Sequence, residues 1–276
     1  MLRQILGVVA IASALIAAPV SAASAADMPS YKGPVMLPPP PPQVYNWTGC
    51  YVDAGAGYGF WNQDHYTSGP GLGTILSTVV TTDGGRGWLG RFGGGCDYQT
   101  PLFNNRFVVG IFGDYDIMSL KGTNSPSEDG LVPCPGFCTA ALTANARETG
   151  AWYVGGRIGY LVNPAFLAFV DAGYTQTSFT QSAEFLTLTA GAEGIGYPDF
   201  TDHGWFIGGG GEYALDWFPI RGFFLKGEYR YAQYSTIGLA EAFTNGTGPT
   251  GDIETTRPYV QTVTGSLVWR FNWTGR

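Results

Sequence analysis

From position 47 onward the chain alternates apolar and polar residues in twos, over stretches long enough for strands and with the wrong period for helices. The candidate strands are 47–61, 86–99, 106–120, 149–162, 166–177, 203–215, 223–234 and 257–273. Each holds at least the roughly 9–11 residues that a tilted strand needs to cross a bilayer. The connections alternate strictly in length. Segments 100–105, 163–165 and 216–222 are short and carry Pro101, Pro164 and Pro219, whereas 62–85, 121–148, 178–202 and 235–256 are long, polar and rich in Gly, Ser and Thr. A soluble domain seldom keeps so many long loops. A barrel in the outer membrane puts short turns in the periplasm and long loops outside. The expected fold class is therefore all-β: an eight-stranded antiparallel up-and-down transmembrane β-barrel with short periplasmic turns and four long outer loops.

Charge parity then divides each strand into two faces. In the seventh, Lys226, Glu228 and Arg230 share one face and Leu225, Gly227, Tyr229 and Tyr231 the other. Arg91 and Asp97 alternate against Trp88, Phe92 and Tyr98 in the second; Asp114 and Asp116 against Val109, Ile111 and Tyr115 in the third; Arg157 against Trp152, Val154, Ile158 and Tyr160 in the fourth. A soluble carrier barrel, dry inside and polar outside, would show the same alternation. The tryptophans separate the two. Trp88, Trp152 and Trp205 fall near the starts of even-numbered strands on the uncharged face, while Trp47, Trp217, Trp269 and Trp273 fall near the opposite rim. Two aromatic girdles a strand-length apart mark a membrane barrel, because indole and phenol settle at the headgroup level. The polar face then lines the lumen, where Asp53, Asp97, Asp114, Asp116, Asp171, Glu212 and Glu228 meet Arg91, Arg157, Lys226, Arg230 and Arg270. Eight strands leave an interior barely wide enough for its own side chains, and buried charges must pair. A salt-bridged plug is expected, with a gated ion path as the alternative.

Composition fits such an inversion. Charged residues are only 13% of the chain, against a usual level of about 25%, while glycine (42 residues) and aromatics (15%) run high. Residues 1–25 read as a signal peptide: Arg3, an apolar run over 5–20, then Ala23-Ser24-Ala25 at the cleavage site. A membrane-anchoring helix is the alternative, opposed by the small residues ending the run and the lack of a basic stop-transfer cluster. Cleavage removes Arg3 and moves the net charge from −7 to −8, a balance that excludes nucleic acid as a partner. Residues 26–44, with Pro38 to Pro42 in succession, form a polyproline spacer, read as a periplasmic leader before a barrel domain over 45–276. The expected partners are the lipid of the outer membrane and the barrel-insertion machinery; the oligomeric state is left open by the sequence, with a monomer favoured.

Export puts four cysteines in a disulfide-permissive compartment. If Trp61 faces Gly85, the constant sum of antiparallel pairs sets Cys50 opposite Cys96 on the apolar faces. A cross-strand disulfide near the periplasmic rim or two buried thiols would follow. Cys134 and Cys138 enclose Pro135-Gly136-Phe137, which suits a small loop-tip disulfide. With two histidines in the chain, no metal site is expected, and no cofactor signature is present. His65, in the first long loop, and His203, beside Asp202, are the catalytic options for a deacylase or protease. Histidines beside acids are usually solvated, so no catalytic residue is assigned and the chain reads as a non-enzyme. The runs Gly93-Gly94-Gly95 and 208–211 sit within strands and lack the Lys-Ser/Thr and following helix of a phosphate loop. They read as room for large lumen side chains.

Tyr45-Asn46-Trp47-Thr48-Gly49-Cys50-Tyr51-Val52, Glu228-Tyr229-Arg230-Tyr231, and Val260-Gln261-Thr262-Val263 leading to Arg270-Phe271 carry a family likeness. With the Ala25-Ala26-Asp27-Met28-Pro29 junction, the chain resembles the outer-membrane immunogenic protein group of alphaproteobacteria, small porin-like barrels of the OmpA type. The resemblance covers the mature chain from about Tyr45. It implies an abundant, non-enzymatic envelope protein that helps keep the outer membrane intact and displays its loops as a surface antigen. A narrow porin-like channel for ions or small solutes, or loop-mediated adhesion or ligand binding, are the alternatives. Phe271 resembles the aromatic assembly signal read by the insertion machinery, but Asn272 to Arg276 extend past it and Trp273 competes for that role. Cys50 stands where relatives usually carry an aromatic, and Phe112 where many carry a carboxylate, which removes one expected lumen charge.

Overall fold

An open sheet edge in hydrocarbon would leave backbone N–H and C=O groups unsatisfied, so membrane strands must close on themselves. In the computed structural model they do. It describes residues 45–69, 80–101, 104, 106–124, 144–181, 184–188, 191–215, 217, 222–243, 246 and 248–271. The expected signal peptide, the whole of the leader, Cys134, Cys138 and Trp273 lie outside the described residues.

The strands are β1 (Gly49–Ser68), β2 (Thr81–Thr100), β3 (Phe107–Asn124), β4 (Ala144–Asn163), β5 (Phe166–Gln181), β6 (Glu184–Leu188), β7 (Gly191–Gly196), β8 (Phe200–Ala214), β9 (Phe223–Tyr234), β10 (Ile237–Phe243) and β11 (Pro249–Phe271). A ring runs β1-β2-β3-β4-β5-β8-β9-β11, and β11 closes antiparallel on β1 from Cys50↔Phe271 to Ser68↔Ile253. The described residues thus hold eleven strands, where eight were expected. Segments 178–202 and 235–256, expected as loops, are largely strand. β6 pairs with β7, β7 with β10, and β10 with the upper end of β11. Their alternating runs are too short to cross a bilayer, and a crossing-length criterion passes over them. They need only lengthen a sheet that already exists.

The short turns lie at the opposite end. At 163–166 the Asn163 side-chain oxygen accepts from the Ala165 N–H at 2.9 Å, an Asx-type turn. Asn104 takes the left-handed region at φ 60°, which Asn tolerates.

Along β9, Phe224, Lys226, Glu228, Arg230, Ala232 and Tyr234 are buried, while Leu225 and Tyr229 are exposed. The same division holds around the middle of the ring: Arg91, Asp97, Asp114, Asp116, Arg157 and Asp171 are buried, and side chains such as Ile111 (71% exposed), Val170 and Val263 face outward. That is the reverse of a soluble carrier. Glycines make the interior possible. A Cβ at Gly93, Gly110 or Gly208 would fall on the carboxylate of Asp114, Asp97 or Asp171, its direct cross-strand neighbour.

Cys50 and Cys96 stand opposite each other in the β1–β2 register, alongside Trp61↔Gly85, and form a disulfide. It lies at the short-turn end of the outer face. Because it ties two strands that are paired along their whole length, the double substitution Cys50→Ser/Cys96→Ser is expected to keep the fold. It should lower the urea midpoint by the equivalent of about 2–4 kcal/mol. Unfolding with and without reductant checks this, and the reductant should shift the unaltered protein by that amount more than it shifts the variant.

Candidate functional site

At the short-turn end, four strands bring charges of alternating sign into one ring. Arg157 on β4 donates through Nε to Asp97 Oδ1 on β2 (2.8 Å), through Nη2 to Asp97 Oδ2, and through Nη1 to Glu212 Oε2 on β8 (3.3 Å). Arg270 on β11 donates to Glu212 Oε1 and Oε2 (2.8 and 3.0 Å) and to Asp97 Oδ2 (2.7 Å). Two guanidinium groups and two carboxylates thereby close a neutral quartet in which each charge meets both opposite ones. Bidentate pairing of this kind is the strong form of the interaction. The Tyr51 ring lies 4.5 Å from the Arg157 guanidinium and 4.9 Å from that of Arg270.

Trp47 closes the quartet from below. It is 1% exposed, lies 4.8 Å from the Arg270 guanidinium, packs on Phe224, and donates from Nε1 to the Pro164 carbonyl at 3.1 Å. It is therefore not part of an outward girdle. Trp47 precedes the first paired residue of β1, so the strand's inside–outside alternation does not govern it. Burial with a cation–π contact then outweighs the interface.

In the middle of the barrel, Arg91 grips Asp116 with two 2.6 Å bonds, donates to Thr264 at 3.1 Å and lies 3.4 Å from Glu228. Arg230 reaches Asp114 at 2.5 Å, Asp171 at 3.3 Å, and Glu228. Lys226 pairs with Asp53 and lies 3.6 Å from Glu228. The Phe112 ring lies 4.9 Å from the Arg230 guanidinium. All twelve charges assigned to the lumen from the sequence are thus buried and paired: Asp53, Arg91, Asp97, Asp114, Asp116, Arg157, Asp171, Glu212, Lys226, Glu228, Arg230 and Arg270.

Toward the long loops the interior turns apolar. Trp61 donates to the Leu120 carbonyl at 3.1 Å and packs against Phe179, which stacks on Phe200. Beyond this layer lie groups the sequence reading did not assign. Thr177 donates to Glu148 at 2.6 Å. His65 is buried, 3.0 Å from Asp83 and 3.3 Å from Glu254. It is not solvated as expected, because β1 continues to Ser68 and its alternation carries position 65 inward. Parity extended along β1 would have found it. His203 stays exposed, stacked on Tyr174.

Outside, Trp88 (73% exposed), Trp152 and Trp205 pack with Tyr58, Tyr174 and Tyr231 into a belt below the long loops. Phe107–Tyr160, Phe166–Tyr213 and Phe223–Trp269 form another belt at the turns, with Phe271 on Trp269 and Trp217 exposed nearby. From Trp88 to Tyr98 along a strand tilted by ~40°, the belts stand about 25 Å apart.

A model of the family described as outer membrane protein beta-barrel domain matches residues 10–271. No curated protein matches the chain. Solved structures similar to it include OprG from Pseudomonas aeruginosa, at 11% identity over 81% of this chain and 97% of that one, TM-score 0.44. The outer membrane protease OmpT from Escherichia coli is 10% identical over 80% and 97%, TM-score 0.41. Neisserial surface protein A is 13% identical over 81% and 98%, TM-score 0.32. No activity is carried over from likenesses so distant.

Two outcomes follow for stability. Arg270→Met leaves Glu212 and Asp97 buried with one cation fewer and should destabilise the barrel by about 3–5 kcal/mol; adding Glu212→Gln should recover part of that loss. Urea titration of the folded protein in detergent reads both. Glu148 lies on β4 beyond Trp152 and the belt, and burial pushes its carboxyl up to about 8. The folded state therefore holds a proton that the unfolded chain releases, and stability falls as pH rises from about 4.5 to 8. Glu148→Gln should flatten that slope and raise the unfolding midpoint at neutral pH.

Proposed function

The chain belongs to the outer membrane protein β-barrel family, and on that premise we propose a non-enzymatic structural barrel of eight crossing strands with a sealed lumen. Its role is to add to the integrity of the outer membrane while the long-loop end faces outward. The observation that carries this reading is the quartet of Asp97, Arg157, Glu212 and Arg270, with Trp47 beneath it. An ion entering from the turns would have to break bidentate pairs in a dry interior, and the Trp61–Phe179–Phe200 layer would stop it again at the other end. The opening Trp47-Thr48-Gly49 and the Glu228-Tyr229-Arg230-Tyr231 segment further support placing the chain in the alphaproteobacterial outer-membrane immunogenic group. It would be exported by its N-terminal segment, inserted by the barrel-insertion machinery through Phe271 or Trp273, and act as a monomer.

A narrow cation path is the second reading, favoured by the middle of the lumen. There Asp53, Asp114, Asp116, Asp171 and Glu228 face Arg91, Lys226 and Arg230, and one oxygen each of Asp53, Asp114 and Asp171 has no hydrogen-bond partner among the described residues. Planar-bilayer recording separates the two. The sealed barrel is expected to give no stable conductance, and reproducible unitary channels from the heat-modifiable folded species would overturn it in favour of the path.

A further inference from the structure

A β-bulge changes what the outer face presents. Along β4 the odd positions 151 to 161 face inward, but the register shifts between Glu148 and Gly150 against β5, and beyond it Ala146 and Glu148 are the buried residues. Bulges re-aim side chains in this way. Arg147 is thereby turned outward, and Arg86, Lys121 and Arg147 become direct cross-strand neighbours on exposed positions of β2, β3 and β4. Three like charges in adjacent register repel one another. Among the described residues, none of the three is ion-paired to a carboxylate. Beside them lies an outward hollow of about 530 Å3, with Phe60, Asn62, Gly84 and Asn145 around Arg86 and Lys121. A smaller one of about 280 Å3 runs on past Lys121 to Arg147 and Thr180.

Height decides what would fill the hollow. Arg86 is two residues beyond Trp88 on the same face, about 7 Å further along the strand. The cations therefore sit at the headgroup level of the outer leaflet, just above the aromatic belt. Below them the surface is exposed and apolar at Tyr58, Phe92, Ile117 and Val154. An anionic head over a greasy strip describes an amphiphile. We infer that Arg86, Lys121 and Arg147 form a docking site for the phosphorylated glycolipid of the outer leaflet, its phosphate between the three cations and its acyl chains along the strip below. Guanidinium groups hold phosphate through paired N–H donors, and Lys121 supplies a point charge between them.

This inference rests on the outer-membrane reading, and heat-modifiable gel migration tests that reading separately. Loss of the shift in the unaltered protein would sink the barrel itself. The site is tested by binding of fluorescent bisphosphoryl lipid A to the folded barrel in zwitterionic detergent. The variant Arg86→Gln/Lys121→Gln/Arg147→Gln should bind at least about tenfold more weakly, while Arg106→Gln, an outward cation at the turn end, should bind as the unaltered protein does. Should the triple variant fail to fold, Lys121→Gln alone should still weaken binding measurably. Equal affinity of the triple variant overturns the site, as does equal binding of dephosphorylated lipid A. Displacement of the probe by millimolar inorganic phosphate would assign the cations to a free anion and overturn the lipid.

Discussion

Closure of the sheet governs the rest of this structure. Hydrocarbon offers no hydrogen bonds, so every backbone group along the crossing stretches must find its partner on a neighbouring strand, and the pairing of β11 with β1 removes the last edge. A ring of eight crossing strands leaves an interior about wide enough for its own side chains. Charges placed there are obliged to meet. The arrangement of Asp97, Arg157, Glu212 and Arg270 is one solution: alternating signs from four strands, each guanidinium spanning two carboxylates.

The glycines belong to the same constraint. Large charged side chains fit only where the cross-strand neighbour has no Cβ, and Gly93, Gly110 and Gly208 stand beside Asp114, Asp97 and Asp171. The high glycine content, the low charge fraction and the paired lumen are thus one property seen in three ways. Toward the long loops the constraint relaxes. The sheet leaves the apolar band, β11 lengthens to pair with β10, and the inner face turns from ion pairs to a Trp61–Phe179–Phe200 layer and then to His65, Asp83 and Glu254.

Much of this was legible in the residues alone, wherever period two held without interruption. Lys226, Glu228 and Arg230 share a parity and therefore a face, and Cys50 meets Cys96 because antiparallel sums are constant. Where the period breaks or the strand has not begun, parity says nothing. Trp47 lies before the pairing starts and turns inward, and β6, β7 and β10 were too short to be separated from loops.

The sequence by itself determined the alternation, the separation of charged from apolar faces, the rhythm of short and long connections and the belts of Trp and Tyr. All of these are local and repeat every two residues. Only the tertiary structure decided which carboxylate meets which guanidinium, because those partners lie up to 173 positions apart in the chain and meet across the lumen. It also decided the fate of Arg147 and Glu148. Parity counted along β4 puts Arg147 with Arg157 in the lumen, and one bulge reverses both side chains, sending Arg147 to the outer face and Glu148 into the interior. A bulge is a property of two strands in register, and a single strand's pattern does not contain it.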